Sequence, residues 1–326
     1  MRICIYGAGA TGGHFAVKLS NAGHDVSVVA RGSHLLAIMH NGLTLLSGDS
    51  ALRAKVDATE KPATLGPQDL VVVAVKATAL PDIIDDLATL VGPETLVAFP
   101  QNGMSWWYPL GLPADKLTPP DLPIFRLGER FARFLPPERI LGGSIYSGNE
   151  VIEPGVIKNT SPHRNALSLG LIASGAEARL AEIRSALISA NILSPDIDDI
   201  RSVIWTKLMS NMSGSALALA IEGKSASLRT DPALSTVYLR TVREGLAIAR
   251  AAGYDLDKTV IPETLLANQL DHKPSLLQDF ERGRPMELAV IVDAPLAFAR
   301  AAGIETPTMD AIAAIIGRRA RDRGLV

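Results

Sequence analysis

The apolar and polar positions of the first hundred residues follow two alternating periods. RICIYG reads as a short buried strand, GGHFAVKLSNAG as a helix closing at Gly23, and DVSVVAR as a second strand. DLVVVAVKA and TLVAFPQNG are continuous apolar runs, the pattern of parallel strands covered on both faces. Strand, helix and strand joined by short connections predict a doubly wound sheet. ILGGSIYSGNEVIEPGVIKNT and NALSLGLI combine β-branched residues with turn signals and predict that this sheet continues. After Ala176 the period turns helical: AEARLAEIRSALISA, IRSVIWTKLMSNMSGSALALA, DPALSTVYLRTVREGLAIARAAG and TPTMDAIAAIIGRR all read as helices. The expected organisation is an α/β, Rossmann-type domain over residues 1–196 and an all-α domain over 197–326.

The stretch from Ser105 to Pro137 breaks both periods. It holds seven prolines, at 109, 113, 119, 120, 123, 136 and 137, with Trp106, Trp107, Tyr108, Phe125, Phe131 and Phe134. Prolines at that spacing forbid a long regular element, and the aromatics argue against a disordered tail. The stretch reads as an insertion of the first domain, over about 105–137. It is either a surface excursion packed down by its aromatics or a lid or subunit contact near a ligand cleft.

Composition narrows the class further. A chain of 326 residues can bury two cores. With 32 Lys and Arg against 34 Asp and Glu, the formal charge is -2, so neither nucleic acid nor an anionic membrane is an expected partner. Apolar runs such as LVVVAV fall far short of the ~20 residues of a spanning helix, and Met1 leads directly into a strand with no signal peptide. Cys4, the one cysteine, sits in the first apolar run as expected core. Together these features predict a cytoplasmic protein. The histidines at 14, 24, 34, 40, 163 and 272 lack ligand spacing, so no metal is expected. No G-x-S-x-G or Cys/His pair suggests a hydrolase, and His163 reads as a loop histidine.

Gly7, Ala8, Gly9, Ala10, Thr11 and Gly12 form G-x-G-x-x-G between the first strand and its helix. There the first glycine permits a tight turn, the second lets backbone approach a pyrophosphate, and the third lets helix pack on strand. The helix N-terminus offers its unpaired amides to the phosphates. A dinucleotide is the expected ligand. Where an acid would accept from a ribose 2′-hydroxyl, at the end of the second strand, stands Arg31, with Ser33 beyond it. A guanidinium suits a 2′-phosphate, which makes NADP the expected cofactor.

In the helical part, Lys207, Asn211 and Ser215 fall at i, i+4 and i+8 on one face of an expected helix. Leu208, Met212, Ala216 and Leu219 stand beside them and would dry that face. Partial burial lowers a lysine from its usual ~10.4 and makes it a better acid near neutrality. A ketone receiving hydride needs such a donor at its oxygen. Asn102 and Lys76 both end strands at the edge where doubly wound sheets bind ligands, although Asn102 also suits the turn before Gly103. Ser275 either binds a ligand or caps the helix starting at LLQDF.

Taken together, GAGATGG, VVVAVKA with Lys76, PQNG with Asn102, WTKLMSN and PSLLQDFERGRPMEL resemble the ketopantoate reductase (2-dehydropantoate 2-reductase) family. The resemblance runs in order along nearly the whole chain, apart from the Pro/aromatic stretch. It implies an N-terminal domain that binds NADPH, a helical C-terminal substrate and dimerisation domain, and a 2-keto acid held between them. The implied reaction gives a 2-hydroxy acid, in first place pantoate from 2-dehydropantoate, a step of pantothenate and CoA biosynthesis. By position, Lys207 is the implied proton donor, and Asn102 touches cofactor and substrate. Asn211, Ser215 and Ser275 are the implied substrate residues, while Arg31, Lys76 and Glu287 hold the cofactor, with backbone near Asn149. A homodimer is implied as well.

The chain also departs from the family pattern. Ser215 replaces a second substrate-binding Asn, and the usual Ile-Asp and Asn-Gly become Leu288-Ala289 and Val292-Asp293. A serine reaches less far than an asparagine and offers a hydroxyl in place of an amide. A paralogue reducing a different keto acid therefore stays open beside 2-dehydropantoate. So do a dehydrogenase of phosphorylated or amino substrates, and a non-catalytic NADP-binding protein. Glu287 alternatively pairs with Arg282 or Arg284 at the surface.

Overall fold

In the computed structural model, which describes all 326 residues, the apolar runs become the centre of a seven-stranded sheet. The strands are β1 (Arg2–Tyr6), β2 (Asp25–Val29), β3 (Leu43–Ser47), β4 (Ser50–Ala54), β5 (Asp57–Thr59), β6 (Leu70–Val73) and β7 (Leu96–Phe99). They continue with β8 (Ile140–Tyr146), β9 (Asn149–Glu153), β10 (Val156–Asn159) and β11 (Ala166–Leu171). The large sheet has the order β11-β8-β7-β6-β1-β2-β5. All its pairings are parallel except β11 with β8. The order reverses beside β1, so the first βα turn lies at the switch point where such sheets bind ligands. Helices α1 (Ala10–Asn21), α2 (Gly32–Asn41), α3 (Leu80–Ala88), α4 (Leu127–Phe131) and α5 (Glu177–Ser189) belong to the same unit.

The expected continuation of the sheet is only half met. β8 and β11 extend it, but β9 and β10 leave it to form a second, four-stranded sheet of order β4-β3-β10-β9. That sheet covers α1: Leu43, Leu45, Ala54 and Ile157 join Phe15, Ala16 and Val17 in one core. A Cβ on Gly13 of α1 would come within 2.6 Å of Ile157, so the contact is tight.

Two compact units divide the chain, residues 1–101 with 127–200, and residues 102–126 with 201–326. The second holds α6 (Ile200–Ser210, entering from its boundary), α7 (Ala216–Ala220), α8 (Ser227–Thr230), α9 (Pro232–Ala251), α10 (Pro262–Ala267), α11 (Ser275–Glu281), α12 (Ala294–Ala301) and α13 (Pro307–Asp322). Asp231 caps α9 by accepting from the amides of Ala233 and Leu234. No helix is long and apolar enough to cross a membrane.

The expected first-domain insertion over about 105–137 needs correction. Residues 102–126 belong to the helical unit, and only the part from Leu127 onward stays with the first. The aromatics explain the division. Trp106, Trp107 and Tyr108 are buried, Tyr108 lies edge-on to Phe298 at 5.4 Å, and Trp205 Nε1 donates to Tyr108 Oη at 3.0 Å. Arg201 Nε donates to the Tyr108 carbonyl at 3.0 Å. Each such ring buries roughly 150–250 Å², about 4–6 kcal/mol before ordering costs, which anchors the segment as core rather than as a surface excursion. Phe131, by contrast, packs edge-on against Phe99 of β7.

Candidate active site

The glycine-rich turn follows β1 directly. Gly7 has φ 102°, and the amides of Gly7 and Ala8 both donate to the Val29 carbonyl, at 3.0 and 3.2 Å. A Cβ on Gly12 would stand 1.9 Å from the Gly7 carbonyl oxygen, whereas one on Gly9 would meet nothing within 4 Å. The turn is therefore closed behind and open in front. Gly9 precedes α1 with no side-chain cap, which leaves the first amides of that helix to a ligand. A pyrophosphate fits this cradle.

His34 holds the turn from α2, a role that sequence reasoning missed. Gly155 N donates to His34 Nδ1 at 3.1 Å, so Nε2 carries the hydrogen and donates to the Ala8 carbonyl at 2.8 Å. The nearby VVARGSH held the only available signal. Arg31 stands just past β2 with an exposed side chain, immediately before α2, and Ser33 is exposed beside it.

Lys76 is half-buried beyond β6. The same edge is fastened by Gln101, whose Nε2 donates to the carbonyls of Val73 at 2.6 Å and Val75 at 3.2 Å. Asn149 opens β9 in a polar cluster. Its Nδ2 donates to Ser147 Oγ at 2.8 Å, and its Oδ1 accepts from Asn159 Nδ2 at 2.8 Å. His14 of α1 is fully buried, and neither ring nitrogen has a hydrogen-bond partner of good geometry. Burial, helped by Lys18 on the next turn and partly offset by Asn149, pushes it down to about 4. Cys4 is buried and its thiol is pushed up to about 12 by desolvation, as suits an inert core residue.

In the second unit, Asn102 is half-buried and leads into Gly103, whose φ is 80°. A Cβ there would lie 2.4 Å from the Val290 carbonyl oxygen, which also accepts from Met104 N at 2.8 Å. Val290 belongs to a π turn over Ala289–Asp293, three residues past Glu287. Asn102 and Glu287 thus come to one neighbourhood. Glu287 is 6 % exposed, so its carboxylate is buried rather than solvated. Ser275 is exposed in the first turn of α11 and makes no capping bond, so its capping role falls away. Leu288 and Val292 are buried, while Ala289 and Asp293 are exposed. His163 is exposed in a loop.

Lys207, Asn211 and Ser215 are each half-buried, and Leu208, Met212, Ala216 and Leu219 are buried beside them. The expected uninterrupted helix is corrected: Asn211–Ser215 is a π turn, with Ala216 N donating to the Asn211 carbonyl five residues back. The extra residue rotates the remainder of the helix back by about 100°. Ser215 consequently falls nearly in line with Lys207, two turns on, rather than drifting off around the helix. A cation, an amide and a hydroxyl then share one partly dry stripe, a set able to hold a carboxylate or carbonyl and hand it a proton.

A glycine cradle at the switch point of a doubly wound sheet, in a chain whose helical unit carries this stripe, defines a two-unit, dinucleotide-dependent oxidoreductase. Comparison with known proteins gives the family. Residues 3–110 match the model of ketopantoate reductase PanE/ApbA, and residues 199–320 match that of its C-terminal part. The chain is 36% identical over 326 residues to 2-dehydropantoate 2-reductase of Mesorhizobium japonicum, covering 99% of each. A crystal structure from Ralstonia solanacearum MolK2 bearing the same family's name superposes with a TM-score of 0.89 at 32% identity, covering 100% of this chain and 99% of that one. D-mandelate dehydrogenase in a ternary structure with NADH and anilino(oxo)acetate has a TM-score of 0.84 at 20% identity, over all of both chains, and shows the shared fold. The chain belongs to the ketopantoate reductase PanE/ApbA family. It is an oxidoreductase acting on a CH–OH group with a nicotinamide cofactor.

Proposed function

We propose that the protein reduces a 2-keto acid to the 2-hydroxy acid with NADPH, and that 2-dehydropantoate, giving pantoate, is its substrate. The observation that carries this is the full-length, 36% identity to a 2-dehydropantoate 2-reductase. Bound NADPH supplies the hydride. Lys207 holds the proton that the carbonyl oxygen takes up, and its apolar flanks keep that exchange dry. Asn211 and Ser215 hold the keto acid beside it, with Asn102 and Ser275 as further contacts. The amides at the start of α1, beyond the two that bond Val29, take the pyrophosphate, and the exposed Arg31 guanidinium takes the 2′-phosphate. Lys76, Glu287 and the backbone at Asn149 complete the cofactor's contacts. The reading requires one keto acid to be reached both from Lys207 and from the nicotinamide. We further propose the division of labour into a cofactor domain and a helical substrate domain, the latter forming a homodimer that light scattering would detect.

A second reading, reduction of a different keto acid, is favoured by Ser215, whose hydroxyl matches fewer substrate groups than an asparagine amide. The test is NADPH oxidation with 2-dehydropantoate beside a panel of 2-keto acids. Highest kcat/KM on 2-dehydropantoate is the expected result. A higher value on another acid transfers the assignment to that acid, and no turnover on any leaves a non-catalytic NADP-binding protein.

A further inference from the structure

The π turn that aligns Ser215 with Lys207 is held by a buried hydrogen bond within it and by the Gln269 side chain packed on it. Ser213, in the middle of the turn, is fully buried and its Oγ donates to the Met209 carbonyl one turn earlier. Tyr238 of α9 is also fully buried. Tyr238 Oη accepts from Gln269 Nε2 at 3.0 Å, and the same nitrogen donates to the Leu265 carbonyl at 3.1 Å. The Gln269 carboxamide also lies flat on the turn: a Cβ on Gly214 would come within 3.1 Å of its Oε1. Seven residues beyond Tyr238, on the same side of α9, Gly245 lets Met209 and Met212 close in.

A π turn gives up the regular helical bonding pattern and persists only where its surroundings determine it. Here Gln269, Tyr238 and Ser213 provide that determination, none of them on the stripe that carries Lys207, Asn211 and Ser215. We propose that Gln269, held by Tyr238 and packed on Gly214, is a positioning residue for the keto acid: it fixes the π turn and so sets where Asn211 and Ser215 point. The inference rests on the proposed role of those two residues as substrate contacts. Without that support the turn relaxes toward a regular helix, which would swing Ser215 by about 100°, to about 80° from Lys207.

The test uses the full-length enzyme and steady-state kinetics with the best keto acid of the panel. Tyr238→Phe keeps the ring and deletes only the hydroxyl, while Gln269→Leu deletes the donor. Each is expected to raise the keto acid KM by roughly fivefold or more, with NADPH affinity unchanged. Because Tyr238 acts by holding Gln269, the double variant should be no worse than the worse single one, a coupling that separate packing defects would not show. Asn211→Ala serves as the companion measurement. If Asn211→Ala raises the keto acid KM while Tyr238→Phe and Gln269→Leu leave it at the wild-type value, or if their effects simply multiply, the positioning role is overturned and the substrate role stands. If Asn211→Ala itself leaves that KM unchanged, both fall.

Discussion

Two single residues to which the proposed function gives roles allow sharp tests. Lys207→Ala should lower kcat by on the order of 10² or more while NADPH still binds, the pattern of a lost general acid. Turnover near wild type in that variant would remove Lys207 from the reaction. Arg31→Ala should weaken NADPH by roughly tenfold or more and leave NADH nearly unaffected, since only the former carries the 2′-phosphate. Fluorescence titration with both cofactors reads the difference, and equal weakening would contradict the NADP reading. Residue types in sequence were enough to nominate these positions. They could not show that Glu287 is buried, that Ser275 caps nothing, or that His34 braces Ala8. Those facts depend on which side chains face each other from distant parts of the chain.

At the scale of elements, the glycine turn separates a structural demand from a ligand's demand. Gly12→Ala places a methyl against the Gly7 carbonyl, at a distance no backbone tolerates. It should destabilise the fold by about 3 kcal/mol or more. Gly9→Ala meets no protein atom, so its thermal midpoint should stay near wild type while dinucleotide affinity falls at least roughly tenfold. Calorimetry and cofactor titration on the two variants check the contrast, and a Gly9→Ala enzyme that binds normally would count against pyrophosphate in this cradle. The parallel strands were legible because runs such as LVVV are apolar on both faces. The second sheet was not: β4 reads SALRA, with its first four residues exposed, and so lacks the apolar alternation that announces a strand. The π turn at Asn211–Ser215 was equally hidden, because one added residue in a turn leaves hardly any mark on an apolar pattern that is nearly continuous from Ala216 to Leu219.

For the molecule as a whole, His14 links the fold to pH. As pH falls below the ordinary histidine value of 6.5, the unfolded chain takes up a proton that the buried ring resists until about 4. Native stability should therefore decline across that window by about 3 kcal/mol and gain no further dependence from this group below it. His14→Leu should flatten the acid limb of the thermal midpoint between those values. An unchanged slope would show that the ring is already satisfied or exposed. The division of the chain shows the limits of reading along it. Local periodicity located the change from α/β to helical near residue 200, since that is a property of neighbouring residues. It could not allot residues 102–126 to the helical unit, because that choice was made by Trp205 and Phe298, far along the chain, offering Tyr108 a partner and a surface. By itself the sequence determined the strand-and-helix alphabet, the dinucleotide turn and a short list of candidate reacting groups, all written in spacings of a few residues. Only the tertiary structure decided which sheet each strand joined, which unit kept the aromatics and how the helix bearing Lys207 is phased. Those outcomes are set by long-range packing and hydrogen bonding, which no local spacing encodes.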